Sequence, residues 1–387
     1  MASTLARLGH SVLPLTDTLQ TGSLVRGISA SRDQGLKLLF GVHLPVPGGN
    51  LYLYPGDESG YVSLCRLVSL VFASSGNPIG EKDVLHTRSG ALPAVREMHL
   101  QTLSGSIRAV GIGIGGMKIL ELLPLGIARY WGILRTNRNR QELARLGELA
   151  SRAGAKPLAF PRVRVTRPLD RQLFRLIRAL HANCLYDQVP LIRDALPESP
   201  ECMAVNFSGD GEAIFEHQRF LHEHTWVPPL GTFHMPRVTS DSQESMKRLR
   251  ALAEEGVRRR YPSVTTEVRD RLERELSVIE VKSFGDYFLA VHEIVQEAQH
   301  RGHRVLGRGS AANSIVSYAL EMTHVDPLRY GLFFERFLNP ERTSPPDIDL
   351  DFSWRLRDEI YEFLRNRWGK DRVALISTHV TLGGRGA

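Results

Sequence analysis

Residues 346–352 read Pro-Asp-Ile-Asp-Leu-Asp-Phe, which places Asp347, Asp349 and Asp351 at every second position with Ile348, Leu350 and Phe352 between them. Successive side chains of a strand point to opposite faces, so the pattern predicts one apolar face and one face made wholly of carboxylates. Like charges crowded on one face repel, and a cation is the natural reason to keep them together. Carboxylate oxygens suit Mg²⁺, which is usually shared between one or two carboxylates and substrate phosphates. Two such ions about 3.5–4 Å apart activate an attacking oxygen and stabilise a leaving oxygen in an in-line phosphoryl transfer. The alternative is a solvated acidic strand that protects a sheet edge.

A short way upstream, residues 307–314 read GRGSAANS and include Arg308, Gly309 and Ser310. A Gly-rich turn lets the backbone approach an anion closely, and Ser can donate to phosphate. The apolar run Ile315–Leu320 reads as a helix, so the turn is expected at a helix N-terminus, where anions are favoured. Between turn and carboxylates lies FFERFLNPER, residues 333–342, with Arg336 and Arg342. Arginine forks fit phosphate oxygens, although surface pairing with Glu335 or Glu341 is an equally good reading of either one.

The elements that must position these groups can be read around them. Ser242–Arg260, Thr265–Lys282 and Tyr287–His300 are predicted as three helices, the second with Leu272, Leu276 and Ile279 inward. A strand at Val305 leads into the turn, Leu356–Trp368 is a helix packed on the sheet, and Arg372–Thr378 is a further strand. Towards the N-terminus, Leu5–Gly41 alternates helix, strand, loop, helix and strand, the pattern of an α/β layer or barrel. The second half of Arg129–Arg152, with Leu143, Leu146 and Leu149 at helical spacing, and Leu169–Leu180 read as amphipathic helices. The glycine run GIGIGGMK, residues 111–118, fails the phosphate-loop template because Met117 displaces the Lys, and reads as a tight strand-to-helix turn.

The 387 residues leave room for two or three domains, and 42% hydrophobic residues is ordinary for a globular chain. A net charge of +7 fits a polyanionic partner. The three cysteines, Cys65, Cys184 and Cys202, show no metal or disulfide spacing, which suits a cytoplasmic protein. The most apolar stretch, Val110–Ile127, carries Lys118 and Glu121 among many glycines, so no membrane span is expected.

GRGSAANS, then HVDPLRYGLFFERFLNPER, then PDIDLDF resemble the palm of the bacterial C-family DNA polymerases, the DNA polymerase III alpha subunits and their error-prone paralogues. The resemblance implies a polymerase-beta-like nucleotidyltransferase palm over 241–387. Gly309 and Ser310, with Arg308, would hold the incoming triphosphate, Arg336 and Arg342 would contact its phosphates, and Asp347 and Asp349 would bind two Mg²⁺ ions with support from Asp351. It also implies primer-template DNA and dNTPs as partners, in replication or translesion repair. A third catalytic carboxylate is expected on a strand beyond Ala387, so this chain alone is expected to polymerise little or not at all.

Residues 1–205 resemble the PHP domain of the same family, an α/β barrel that would be incomplete here, joined to the palm by a linker at 206–240. PHP domains are metal-dependent phosphoesterase folds, and in the family this region can lie against a proofreading exonuclease. The sequence departs from that pattern in four respects: the N-terminal HxH pair is missing, Thr18 follows Asp17 where a His is expected, His43 replaces a Glu, and Arg164 replaces a later His. Asp17 and His43 are too few to hold a metal cluster, so none is expected and the domain reads as a scaffold. A non-catalytic DNA-binding remnant and a PHP phosphoesterase are the competing functions.

Overall fold

The computed structural model describes residues 1–73, 95–134, 140–161, 163–190, 196–223, 226–231, 233–342, 344–369 and 372–373. They form two compact units, divided between Pro229 and Leu230.

The first unit opens with helix α1 (Ala2–Arg7), strand β1 (Val12–Thr18), helix α2 (Leu24–Asp33) and strand β2 (Lys37–Val46). This is the alternation read from Leu5–Gly41. Strand β3 (Gly49–Pro55), helices α3 (Glu58–Ala73) and α4 (Glu97–Leu100), strand β4 (Ile107–Ile112) and helix α5 (Gly113–Glu121) follow. Strand β5 (Ala128–Ile133), helix α6 (Arg140–Arg152), strand β6 (Lys156–Ala159) and helices α7 (Asp170–Ala182), α8 (Pro200–Asn206) and α9 (Gly211–Glu223) complete it.

The six strands lie in sequence order in one mixed sheet. Strand β3 runs antiparallel to both neighbours, whereas β1–β2, β4–β5 and β5–β6 are parallel. Among the described residues the expected barrel is an open sheet, because β1 and β6 each have one partner strand and form its edges. The glycine run is the strand-to-helix turn from β4 into α5. A side chain at Gly115 would meet the Pro47 carbonyl at 1.9 Å, so its glycines serve close packing of α5 on the β2–β3 turn.

The expected boundary near residue 205 and the linker over 206–240 are corrected here. Helices α8 and α9 carry Met203, Phe207, Ala213 and Phe220 into the first unit's core. The Phe220 ring sits edge-on to Tyr54 and Tyr130, with centroids 5.2 and 5.1 Å away. Residues that looked like a change of composition are therefore part of the first core.

The second unit contains three long helices, α10 (Ser242–Arg260), α11 (Thr266–Val281) and α12 (Gly285–His300). Asp241 caps α10 by accepting from the Glu244 N–H at 2.8 Å, and Arg258, Arg259 and Arg260 occupy its last turn, where cations suit the helix dipole. Strand β7 (Leu306–Arg308), a 3₁₀ turn (Gly309–Asn313), helix α13 (Ile315–Ala319), a second 3₁₀ turn (Phe334–Arg336), strand β8 (Asp349–Asp351) and helix α14 (Arg357–Trp368) follow. The core joins Leu249, Leu272, Leu276, Phe288, Ile315, Phe334, Phe337 and Leu356, with Ile348, Leu350 and Phe352 packed against it. The strand expected at 372–378 lies mostly outside the described residues. No helix among those described is long and apolar enough to cross a membrane.

Candidate functional site

Strands β7 and β8 pair antiparallel, with Leu306 opposite Asp351, Gly307 opposite Leu350 and Arg308 opposite Asp349. The ladder is shorter than the strand expected over 346–352, and Asp347 stands just before it. The alternation nevertheless places the two faces as predicted. Ile348, Leu350 and Phe352 turn to the core, while Asp347, Asp349 and Asp351 are exposed.

The pairing brings the turn to the carboxylates. Gly309 adopts φ +70°, a left-handed conformation that glycine accepts without a Cβ clash. A Cβ built there would stand 3.0 Å from Asp349 Oδ2, so the bare glycine lets that carboxylate lie over the turn. Ser310 Oγ donates to the Asp347 carbonyl at a long 3.5 Å. Behind the turn, a side chain at Gly307 would meet the Met322 carbonyl at 1.9 Å.

The other predicted residues are distributed unevenly. Arg308 reaches Asp351 with Nε–Oδ1 at 3.2 Å, both side chains about half exposed or more. Asp351 therefore has a cationic partner that Asp347 and Asp349 do not share among the described residues. Arg342 is half-buried and ties its own loop, donating from Nη1 to the Phe337 carbonyl at 2.8 Å and from Nε to Ser344 Oγ at 3.1 Å. Arg336 is exposed. The helix expected directly after the turn begins at Ile315 as α13, with Ser314 as its cap, and the Gly309–Asn313 part of the turn winds as a 3₁₀ turn before it.

Several positioning residues escaped the sequence reading. Arg271 and Glu275 on α11 are buried, at 8% and 0% exposure. Arg271 Nε donates to Glu275 Oε1 at 2.6 Å, and its Nη2 donates to the carbonyls of Asn313 at 2.8 Å and Leu332 at 2.9 Å. Glu275 Oε2 accepts from Ser314 Oγ at 2.7 Å and from the Val316 N–H at 3.3 Å. Burial pushes the Glu275 carboxyl upwards, opposed by Arg271, Ser314 and the Ile315 N–H. The signal was an Arg and a Glu four apart, interleaved with Leu272, Leu276 and Ile279 on the buried stripe. Tyr287 on α12 lies against the Ile348 backbone N–H; burial raises its pKa and the Asp347 and Asp349 charges add to the rise. Lys282 donates to the Arg342 carbonyl at 2.9 Å.

The candidate ligands of the first unit are engaged otherwise. Asp17 accepts from the Ser23 N–H at 2.8 Å and the Ser23 hydroxyl at 2.6 Å. His43 bonds Thr18 Oγ1 through Nδ1 at 2.9 Å and Asn50 Oδ1 through Nε2 at 2.8 Å, and stacks on Tyr52. Arg164 lies over the Phe174 ring. Among the described residues, in either unit, no group of three or more His, Cys, Asp or Glu side chains is arranged to hold a metal ion.

Residues 247–387 match the family described as the bacterial DNA polymerase III alpha NTPase domain. The chain belongs to the bacterial C-family of DNA polymerases. It is similar over 98% of its length to an error-prone DNA polymerase of Pseudomonas syringae pv. syringae, at 32% identity and covering 37% of that protein. The error-prone DNA polymerase 2 of Rhizobium meliloti is also 32% identical over 98% of the chain, which covers 35% of it. A third relative, the error-prone DNA polymerase of Pseudomonas aeruginosa, is 32% identical over 99% of the chain and is covered to 37%. This C-family chain thus spans a little over one third of the length of these relatives.

Proposed function

We propose that the second unit is part of the nucleotidyl-transfer palm of an error-prone DNA polymerase, and that it binds a deoxynucleoside triphosphate beside primer-template DNA. The observation that carries the reading is the β7–β8 pairing, which stands the Asp349 carboxylate 3.0 Å from the Cβ position that Gly309 leaves empty. A phosphate on Gly309 and Ser310 would then lie next to Asp347 and Asp349. The donor set fits Mg²⁺ on chemical grounds: two exposed carboxylates supply hard oxygens, and the remaining coordination falls to phosphate and water, as is usual for this ion. Asp347 and Asp349 would hold it, and when bound it would supply charge neutralisation and activation of the attacking 3′-hydroxyl.

This chain's own residues do the positioning. The left-handed Gly309 opens backbone space for an anion, the Ser310 hydroxyl is at hand to donate, and Arg336 is the exposed guanidinium available to phosphate oxygens. Arg342 shapes the loop that carries Arg336, and Arg308 with Asp351 borders the site as an ion pair. For the first unit a scaffolding role is favoured over phosphoesterase chemistry, because Asp17 and His43 are committed to Ser23, Thr18 and Asn50. A proofreading exonuclease as its partner rests on the family resemblance.

Titration calorimetry with dTTP, with and without Mg²⁺, tests the site. The chain is expected to bind in a metal-dependent way, and Asp347→Asn/Asp349→Asn to abolish that binding. Equal binding by the double variant would remove the carboxylates from the site. Robust extension of a primed template by this chain would overturn the expectation that its chemistry needs a further carboxylate.

A further inference from the structure

We infer that Arg271 and Glu275 are positioning residues that lock the Gly309–Asn313 turn and the segment carrying Arg336 and Arg342 into one rigid arrangement. The consequence for ligand affinity rests on the nucleotide reading above; the mechanical coupling does not.

The argument starts from where the hydrogen bonds go. A single nitrogen, Arg271 Nη2, serves two carbonyls from different parts of the site. Asn313 ends the turn, and Leu332 immediately precedes the Phe333–Arg342 segment. Sharing one donor fixes the spacing of those two carbonyls to the reach of a single N–H₂ group. The coupling extends to the ligand side, because Asn313 Nδ2 donates to the Ser310 carbonyl at 2.9 Å. Arg271 therefore holds Asn313, which holds Ser310.

Glu275 has the matching task. Its Oε1 fixes the plane of the guanidinium through Nε, and its Oε2 gathers Ser314 and Val316 where the turn passes into α13. A planar guanidinium with fixed donor directions suits this role better than an ammonium would. An apolar pair of similar size could fill the space, and buried ion pairs are often no more stabilising than such a replacement. What an apolar pair lacks is direction, which a site that must meet a phosphate chain and a metal needs.

The test compares Arg271→Lys and Glu275→Gln with Leu276→Ala, a core truncation on the same helix. Hydrogen exchange by mass spectrometry is followed on the ligand-free chain, and Mg²⁺–dTTP affinity by calorimetry. In both clamp variants exchange at 309–316 and at 333–342 is expected to quicken together, by about tenfold or more, while α10 and α12 stay protected. Affinity for Mg²⁺–dTTP should fall by about tenfold or more, a loss of about 1.4 kcal/mol. Leu276→Ala should lower the melting temperature, spread any exchange increase over the whole unit, and leave affinity within about twofold at temperatures where it is folded. Should the single variants fail to fold, Arg271→Met/Glu275→Met removes both charges at once and carries the same expectation. The inference is overturned if only one of the two segments loosens, or if the clamp variants behave as Leu276→Ala does. If the wild-type chain binds no Mg²⁺–dTTP, the nucleotide reading fails, and the exchange pattern still decides the clamp.

Discussion

In the first unit the carboxylate of Asp17 takes both an N–H and a hydroxyl from Ser23, and both nitrogens of His43 are engaged by neighbouring side chains. In the second unit Asp347 and Asp349 stand exposed beside a turn whose glycine leaves them room, while the alternate apolar residues anchor the segment to the core. Residues of the same chemical type thus occupy opposite situations. Where internal partners use up the polar atoms, the residue holds the fold together. Where carboxylates face solvent and, like Asp347 and Asp349, have no cationic partner among the described residues, they remain free to meet a ligand. The distinction lies in the partners and not in the residue type, which is why a list of acidic residues and histidines could not have drawn it.

Substitutions can break or sharpen this contrast. The largest effect is expected from Gly307→Ala, because its methyl would press on the Met322 carbonyl, a backbone atom with little freedom to retreat. A loss of about 3 kcal/mol or more is expected in urea unfolding of the second unit. Wild-type stability would show that the β7 backbone yields, and the site's rigidity would then be in doubt.

Next is an acid effect confined to the first unit. Burial lowers the His217 pKa to about 4, with His10 adding to the fall and a hydrogen bond to the Ala159 backbone opposing it. The folded value lies below the unfolded one of about 6.5, so at intermediate pH the unfolded chain binds a proton that the folded chain refuses. The stabilisation is complete above about pH 6.5 and is lost progressively as pH falls towards 4, by about 2–3 kcal/mol. Urea midpoints across this window should decline for the wild type and flatten for His217→Gln.

Asp17→Ala should destabilise the first unit by about 1–2 kcal/mol, the scale of a lost cap together with an unsatisfied donor. Asp349→Ala should do the opposite or nothing: its stability should stay within about 0.5 kcal/mol of wild type, as for exposed positions. Thermal melts of the two variants side by side are the sharpest reading of the contrast. If Asp349→Ala proved the more damaging, the exposed carboxylates would be structural after all.

Much of this was legible in the sequence. The period-two alternation in PDIDLDF predicted which side chains face the core, and the long helices of the second unit fell where their apolar spacing placed them. The glycine run after β4 also kept its strand-to-helix reading. Features that depend on distant partners were not legible. Helix α9 fell in the expected linker, because nothing local announces that Phe220 meets Tyr54 and Tyr130. The helix after the turn starts at Ile315 as its apolar run suggested, but the bonds of its cap, Ser314, to Ser317 and the distant Glu275 were not legible. The resemblance put Arg342 at the phosphates, and no sign in the sequence told that its guanidinium also ties the loop through Phe337 and Ser344. Arg271 and Glu275 went unread, because nothing local tells that a charged pair beside Leu272, Leu276 and Ile279 is itself buried.

The Arg271 clamp also has a consequence for how the molecule comes together in time. Its two carbonyl contacts span 42 and 61 residues of chain. Contacts that close loops of this length form after local ones, since the loop entropy must be met before the bond is made. The helices can therefore be in place while the turn and the arginine segment are still searching for one another. On refolding, helical signal should return ahead of ligand-binding competence, and that delay would measure how long the chain spends assembled but functionally blind.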